Sequence, residues 1–222
     1  MASSNLERLQ DRLNNQLTWR KKELTILQSQ IEDASGETLN TLLRSGITLL
    51  YAHWEGYIKM AAREYLRYLN NLECKLVDLK QNFVVLHHKK AIIGVRASNN
   101  TTSFGTLFEK ITNQEQCFKV KEHDNDIITT ESNLKFKVLV EILYSLGLPK
   151  QSFELKKPFI DIKLLDKRNK ISHGEYVDLC NGNEESAKEE FKELYHVILE
   201  LMDEFKEKII EAGLHQAYLK AN

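Results

Sequence analysis

A long helical apolar stripe between Gly36 and Asn70 is the sequence feature that most constrains the fold. Apolar side chains recur there at steps of three and four residues over about seven turns, which is the periodicity of a helix with one buried face. The stripe consists of Leu43, Ile47, Leu50, Trp54, Tyr57, Ala61, Tyr65 and Tyr68. Residues 5–34 carry a similar stripe. The sequence therefore predicts two long antiparallel helices joined by a short turn at Gly36.

The second half of the chain also follows helical periodicity. An amphipathic segment covers residues 134–146, and Gly147 and Pro149 then end it. The last helix opens with Ser186-Ala-Lys-Glu189, a capping-box pattern. Its expected core face is formed by Phe191, Leu194, Ile198, Leu201, Phe205 and Ile209. With only 2 prolines and 9 glycines in 222 residues, the composition favours an all-α bundle of about five main helices.

A further helix is predicted between these two segments. It is expected to begin near Pro158, because proline is tolerated in the first turn of a helix. Gly174 is placed to terminate it. The residues expected to face the core are Phe159, Ile162, Leu165 and Ile171.

Residues 72–130 show no continuous periodicity. Short helices are predicted at 83–93 and 105–111, with polar, turn-forming runs around them. We interpret this region as an insertion of short helices and loops into a single domain that covers residues 1–222. The core of the bundle is then formed by residues 37–70 and 133–219.

The overall charge and the cysteines exclude several classes of protein. A formal net charge of −1 argues against a surface that is basic throughout, although it is compatible with a local basic patch. Three scattered cysteines without a CxxC pair fit free thiols, and the sequence contains no metal-ligand array or glycine-rich phosphate loop. Its apolar runs are too short to span a bilayer. We therefore expect a cytoplasmic protein with no membrane partner and no cofactor.

The chemistry of the chain is concentrated in the run Asp166-Lys-Arg-Asn-Lys-Ile-Ser-His-Gly-Glu-Tyr176. Arg168 and Asn169 lie at the end of the predicted helix, and His173 lies at the turn that closes it. An imidazole exchanges protons near neutral pH, and a guanidinium donates two bonds to a phosphate while it remains charged. These are the groups needed to bind and cleave a phosphodiester without a metal ion.

Arg168 and His173 do not point at the same atom if the helix is ideal. Positions five residues apart diverge by roughly 140° and are separated by about 7.5 Å along the axis. Either the last turn loosens around residues 171–174, or two subunits contribute to one site. A two-fold interface would supply two histidines and two arginines, which meets the need for both a base and an acid.

The Arg168-Asn169-x-x-x-His173 run resembles the signature of the HEPN superfamily, whose members are helical bundles and include many metal-independent RNases. Leu49–Lys59 resembles the second helix of the stand-alone bacterial branch with the MAE-like and RiboL-PSP-like families, and Phe159–Leu165 also fits that branch. The resemblance implies an up-and-down bundle, a homodimer with a composite active site, and RNA as substrate. It also implies a bacterial defence or toxin–antitoxin role, with an antitoxin or defence protein as partner.

Under this resemblance, one His173 would take the 2′-hydroxyl proton and the second would protonate the leaving 5′-oxygen, which gives 2′,3′-cyclic phosphate ends. Arg168 would hold the phosphate, and Asn169 would orient the histidine or the phosphate. Glu55 would hold Arg168 by a salt bridge, or it is simply a structural glutamate. Related toxins accept AMP on a tyrosine two residues after the histidine, whereas Tyr176 lies three residues after it. The supporting residues are Glu55, Lys167, Lys170 and Tyr176.

Two features leave alternatives open. Between residues 150 and 170, seven cationic side chains stand against three acidic ones. This excess would attract RNA, but a solvated lysine-rich helix face is the simpler interpretation. The competing function is a non-catalytic helical module that binds RNA, a nucleotide or a protein, including an adaptor subunit of a defence complex.

Overall fold

The computed structural model describes residues 2–96, 100–125 and 127–220, and within them it forms an all-α bundle without β-strands. The all-α prediction is therefore confirmed. None of the helices within these residues is both long enough and apolar enough to cross a membrane. The α-helices are α1 Ala2–Asp33, α2 Gly36–Asn70, α3 Gln81–Val95, α4 Thr101–Thr112, α5 Phe136–Ser145, α6 Gln151–Glu154, α7 Lys167–Ser172 and α8 Glu184–Leu214.

The three longest helices, α1, α2 and α8, pack against one another and form the core. Only two residues separate α1 from α2, so the chain reverses there as predicted, with Gly36 at a φ of 59°. Gly46 lets α2 approach its neighbours closely. A Cβ atom at Gly46 would lie 2.8 Å from the Phe191 ring and 3.1 Å from the Ile31 side chain. The aromatic stripe of α2 is buried, with Trp54 and Tyr57 both at 0% exposure.

The segment before α7 differs from its prediction because it is a π-helix, Phe159–Asp166, rather than an α-helix. A π-helix bonds each residue to the fifth one along, so its turn is wider and successive side chains rotate less. Ile160, Leu164 and Leu165 are consequently buried. Ile162, which was expected in the core, is 62% exposed.

The start of α8 also differs from its prediction. The helix begins at Glu184, and the side chain of Asn183 accepts a hydrogen bond of 3.0 Å from the backbone N–H of Ser186. Asparagine caps a helix as well as serine does, so the cap lies one turn upstream of the predicted capping box. The six residues expected to form the core face of this helix are all buried.

The inserted region contains both predicted short helices, and α3 and α4 are longer than expected. Residues 97–99 and 126 of this region lie outside the described residues. After α4 the chain returns along α2 toward its N-terminal half, and we call residues 118–125 and 127–134 the return segment. Four side chains of α2 form hydrogen bonds with this segment. The pairs are Asn70–Val120, Arg67–Glu122, Arg63–Asn125 and Glu55–Thr130.

Candidate functional site

The C-terminus of α7, within the motif, has a regular capping geometry. The backbone N–H of His173 donates to the carbonyl of Asn169 at 3.0 Å, and that of Glu175 donates to the carbonyl of Lys170 at 3.0 Å. Gly174 has a φ of 81° and donates to the carbonyl of Ile171. This bond pattern is a Schellman motif, which needs a left-handed residue just after the helix. The prediction that Gly174 terminates the helix is therefore confirmed.

Because α7 stays α-helical up to its last turn, the loosening considered for residues 171–174 does not occur. The divergence of about 140° between Arg168 and His173 follows from the regular geometry. The His173 side chain is exposed, and among the described residues it has no hydrogen-bond or ion-pair partner. Asn169 lies between them and is half-buried. A single copy of the chain therefore presents the two groups in different directions.

Arg168 is turned toward α2. Its guanidinium carbon lies 3.7 Å from the centroid of the Tyr51 ring, and one of its terminal nitrogens lies 3.9 Å from the Glu55 carboxylate. The side chain is 16% exposed. The structure thus brings Glu55 to Arg168, but at a separation too long for a hydrogen bond.

Two residues of this cluster were missed by the sequence analysis. Tyr51 stacks on Arg168, and its hydroxyl accepts a hydrogen bond of 2.7 Å from the backbone N–H of Leu134. Burial raises the pKa of Tyr51 to about 12, so its hydroxyl stays protonated at neutral pH. Thr130 donates a hydrogen bond of 2.5 Å to Glu55. The position of Tyr51 one helical turn before Glu55 was the only available signal, because nothing in the sequence links Thr130 to either residue.

Arg44 is a third missed residue, and it holds the loop after His173. Its guanidinium donates to the carbonyl oxygen of Glu175 at 3.1 Å and lies 5.7 Å from the Tyr176 ring. Tyr176 is 78% exposed and therefore accessible. Arg44 and Glu55 lie on the same face of α2, about three turns apart. Arg44 contacts the loop that follows α7, and Glu55 lies beside Arg168 near the start of α7, so α2 contacts both ends of this helix.

The lysine-rich run is less basic than its sequence indicates. Five of its lysines form ion pairs with carboxylates, several of which belong to α8. Lys167 pairs with Glu190 at 3.3 Å, whereas Lys170 is exposed and forms no ion pair within the described parts of the chain. Lys170 is thus the cation of this run without an ion pair among the described residues, and Arg168 has only its long contact of 3.9 Å with Glu55. The pairs are Lys150–Glu154, Lys156–Glu200, Lys157–Asp161, Lys163–Glu193 and Lys167–Glu190.

A shallow groove of about 600 Å³ lies between α1, α2 and α7, beside the motif. Most of its surface is apolar, and Ile171 of the motif forms one wall. We call this surface the apolar groove, lined by Leu27, Thr41, Arg44, Ser45, Thr48, Leu49, Ala52 and Ile171.

Comparison with known proteins gives one assignment. A family model described as RiboL-PSP-HEPN matches residues 15–211, which include the second half of α1, the inserted region and the motif. No curated protein and no solved structure matches the chain. Since the family model covers well over half of the sequence, the match is decisive for the family.

Proposed function

The chain belongs to the RiboL-PSP-HEPN family, and on that basis we propose that it is a metal-independent endoribonuclease with a composite Arg/His site between two copies. HEPN domains commonly bind RNA and dimerise, and many are RNases. The observation that carries the proposal is the pairing of an exposed His173 with an Arg168 guanidinium that α2 holds in place. We further propose that the enzyme acts in a bacterial defence or toxin–antitoxin system.

In the proposed reaction, the 2′-oxygen of RNA attacks the adjacent phosphorus and the bond from phosphorus to the 5′-oxygen breaks. One His173 accepts the proton from the 2′-hydroxyl, and the second His173, protonated, donates a proton to the 5′-oxygen. The products are a 2′,3′-cyclic phosphate and a 5′-hydroxyl. Arg168 binds the phosphate oxygens as their charge grows, and Asn169 orients His173 or the phosphate. Proton transfer of this kind contributes about 10² to 10⁴ in rate.

The homodimer is proposed from the geometry of α7. Arg168 and His173 of one copy diverge, so a second copy must bring its own pair to the same phosphate. The apolar groove lies beside the motif, and its exposed apolar surface fits burial against an identical surface across a two-fold axis. Lys170 and Tyr176 would then lie at the rim, where they can contact the RNA.

Replacing Ser45 with arginine is expected to separate the dimer and lower RNA cleavage together. Ser45 is exposed within the apolar groove, and a charged side chain there would have to be buried in the interface. Light scattering coupled to size exclusion measures the mass, and a cleavage assay on the same samples measures activity. Thr106→Arg on α4 is the matched control, because both hydroxyls bond the carbonyl four residues earlier. If the Ser45→Arg variant remained a dimer and kept full activity, the dimer interface would lie on a surface other than the apolar groove.

The cleavage test uses purified chain and total RNA in excess EDTA. We expect cutting to persist and to leave 5′-hydroxyl ends and 2′,3′-cyclic phosphate ends. Alkaline phosphatase should remove these phosphates only after mild acid has opened the cyclic phosphate ring. Arg168→Lys keeps the charge but loses the planar fork and its stacking on Tyr51, so its cleavage should fall about tenfold or more. Cleavage that requires a divalent metal, or that leaves 5′-phosphates, would contradict the proposed mechanism.

The second candidate is a non-catalytic adaptor that binds RNA, a nucleotide or a protein. The ion pairs of the lysine-rich run leave few free cations for a long RNA, and this favours the nucleotide- or protein-binding form of the adaptor. Binding of RNA without any cut product in the same assay would support it. Growth arrest on expression in bacteria, relieved by Arg168→Ala, would instead support an RNase effector.

A further inference from the structure

The position of Arg168 is set by side chains outside its own helix. The guanidinium stacks on the Tyr51 ring at 3.7 Å and faces the Glu55 carboxylate at 3.9 Å. Its Nε atom is buried and has no hydrogen-bond partner within the described residues. A guanidinium held by one ring face and one nearby charge keeps its planar edge available for a ligand, provided that Glu55 does not move closer.

The return segment holds both of these α2 residues. Thr130 is 5% exposed, and its hydroxyl donates to Glu55 Oε1, while the backbone N–H of Leu134 donates to the hydroxyl of Tyr51. The Glu55 carboxylate therefore accepts the Thr130 hydroxyl, and this bond competes with its approach to Arg168.

The turn that presents Thr130 has an unusual backbone. Glu131 and Ser132 follow with φ values of 51° and 64°, the left-handed region that residues with a side chain rarely adopt. The backbone N–H of Asn133 closes the turn on the carbonyl of Thr130 at 2.9 Å. Two successive left-handed residues persist only where surrounding contacts impose them, and here they direct Thr130 and Leu134 at the same pair of α2 side chains.

We propose that Thr130 is a positioning residue for Arg168, and that the inserted region thereby controls the site. The Thr130 hydroxyl draws Glu55 toward the return segment and keeps it from forming a close, bidentate pair with the guanidinium. Without that hydroxyl, Glu55 turns to Arg168 and occupies the edge that would receive the phosphate. This inference rests on the proposed function for its catalytic consequence, but its structural part stands independently of RNA cleavage.

The test compares Thr130→Val, which keeps the shape and removes the hydroxyl, with Thr130→Ser, which restores it. We expect Thr130→Val to lower kcat about tenfold with a smaller change in KM, because Glu55 then pairs with Arg168 and weakens its contact with the phosphate charge that grows in the transition state. Thr130→Ser should recover most of the loss. Adding Glu55→Gln to Thr130→Val should also recover activity, since a neutral amide competes weakly for Arg168. Thr106→Val, in the same inserted region, should match the unmodified chain.

A second measurement does not depend on activity. In NMR spectra, the Cδ protons of Arg168 should show an upfield ring-current shift from Tyr51, and Thr130→Val should move them measurably. An unchanged shift, or a Thr130→Ser variant as impaired as Thr130→Val, would overturn the positioning role. If the unmodified chain does not cut RNA, the proposed function fails, and the NMR shift still decides whether Thr130 positions Arg168.

Discussion

Replacing His173 with alanine is expected to reduce RNA cleavage by about 10² to 10⁴, the usual contribution of general acid–base catalysis. The fold should be almost unaffected, because the imidazole is exposed and has no hydrogen-bond partner within the described residues. A histidine at a helix C-terminus interacts with the helix dipole by only about 0.3–1 kcal/mol. Single-turnover rates measure the first effect, and thermal melting followed by circular dichroism measures the second.

The chain provides a matched control for this variant. His215 caps the C-terminus of α8 as His173 caps α7, with nearly the same backbone angles: φ −90° and ψ 7° against φ −85° and ψ 6°. Both side chains are exposed. His215→Ala should therefore cost the same small amount of stability and leave cleavage intact. Equal activity in the two alanine variants would remove His173 from the proposed mechanism and favour the adaptor function.

The largest expected effect on stability comes from Trp54. Its side chain is fully buried at the centre of α2, and Trp54→Ala should lower the free energy of unfolding by about 3–5 kcal/mol. Domains typically have only about 5–15 kcal/mol of stability, so the variant should unfold at a much lower urea concentration. Equilibrium urea titrations followed by circular dichroism measure the change in midpoint and slope.

A second substitution at Trp54 separates packing from polarity. The indole Nε1 atom is buried without a hydrogen-bond partner among the described residues. Trp54→Phe removes this unpaired donor and retains most of the apolar surface, so it should lower the free energy of unfolding by less than about 2 kcal/mol. A Trp54→Phe variant as unstable as Trp54→Ala would mean that the indole N–H makes a bond that stabilises the fold.

Much of the fold was predictable because helical periodicity and helix termination are local properties of a sequence. The stripes of α1, α2 and α8 follow from residue spacing, and Gly174 ends α7 because glycine adopts a positive φ easily. The errors also have local causes. Asn183 and the predicted Ser186 are both good caps, and spacing alone does not choose between them. The π-helix before α7 shifts Ile162 to the surface, and a wider turn leaves no signal in the composition.

The sequence by itself determined that the chain is an all-α bundle of the HEPN type and that Arg168 and His173 lie at the C-terminal end of one helix. Only the tertiary structure decided what surrounds them. Tyr51 and Arg44 contact the motif because α2 packs against α7, and Thr130 contacts Glu55 beside it because the return segment follows α2. Such contacts join residues far apart in the chain, and they depend on how helices pack and where an aperiodic loop runs. Neither is encoded in the spacing of nearby residues.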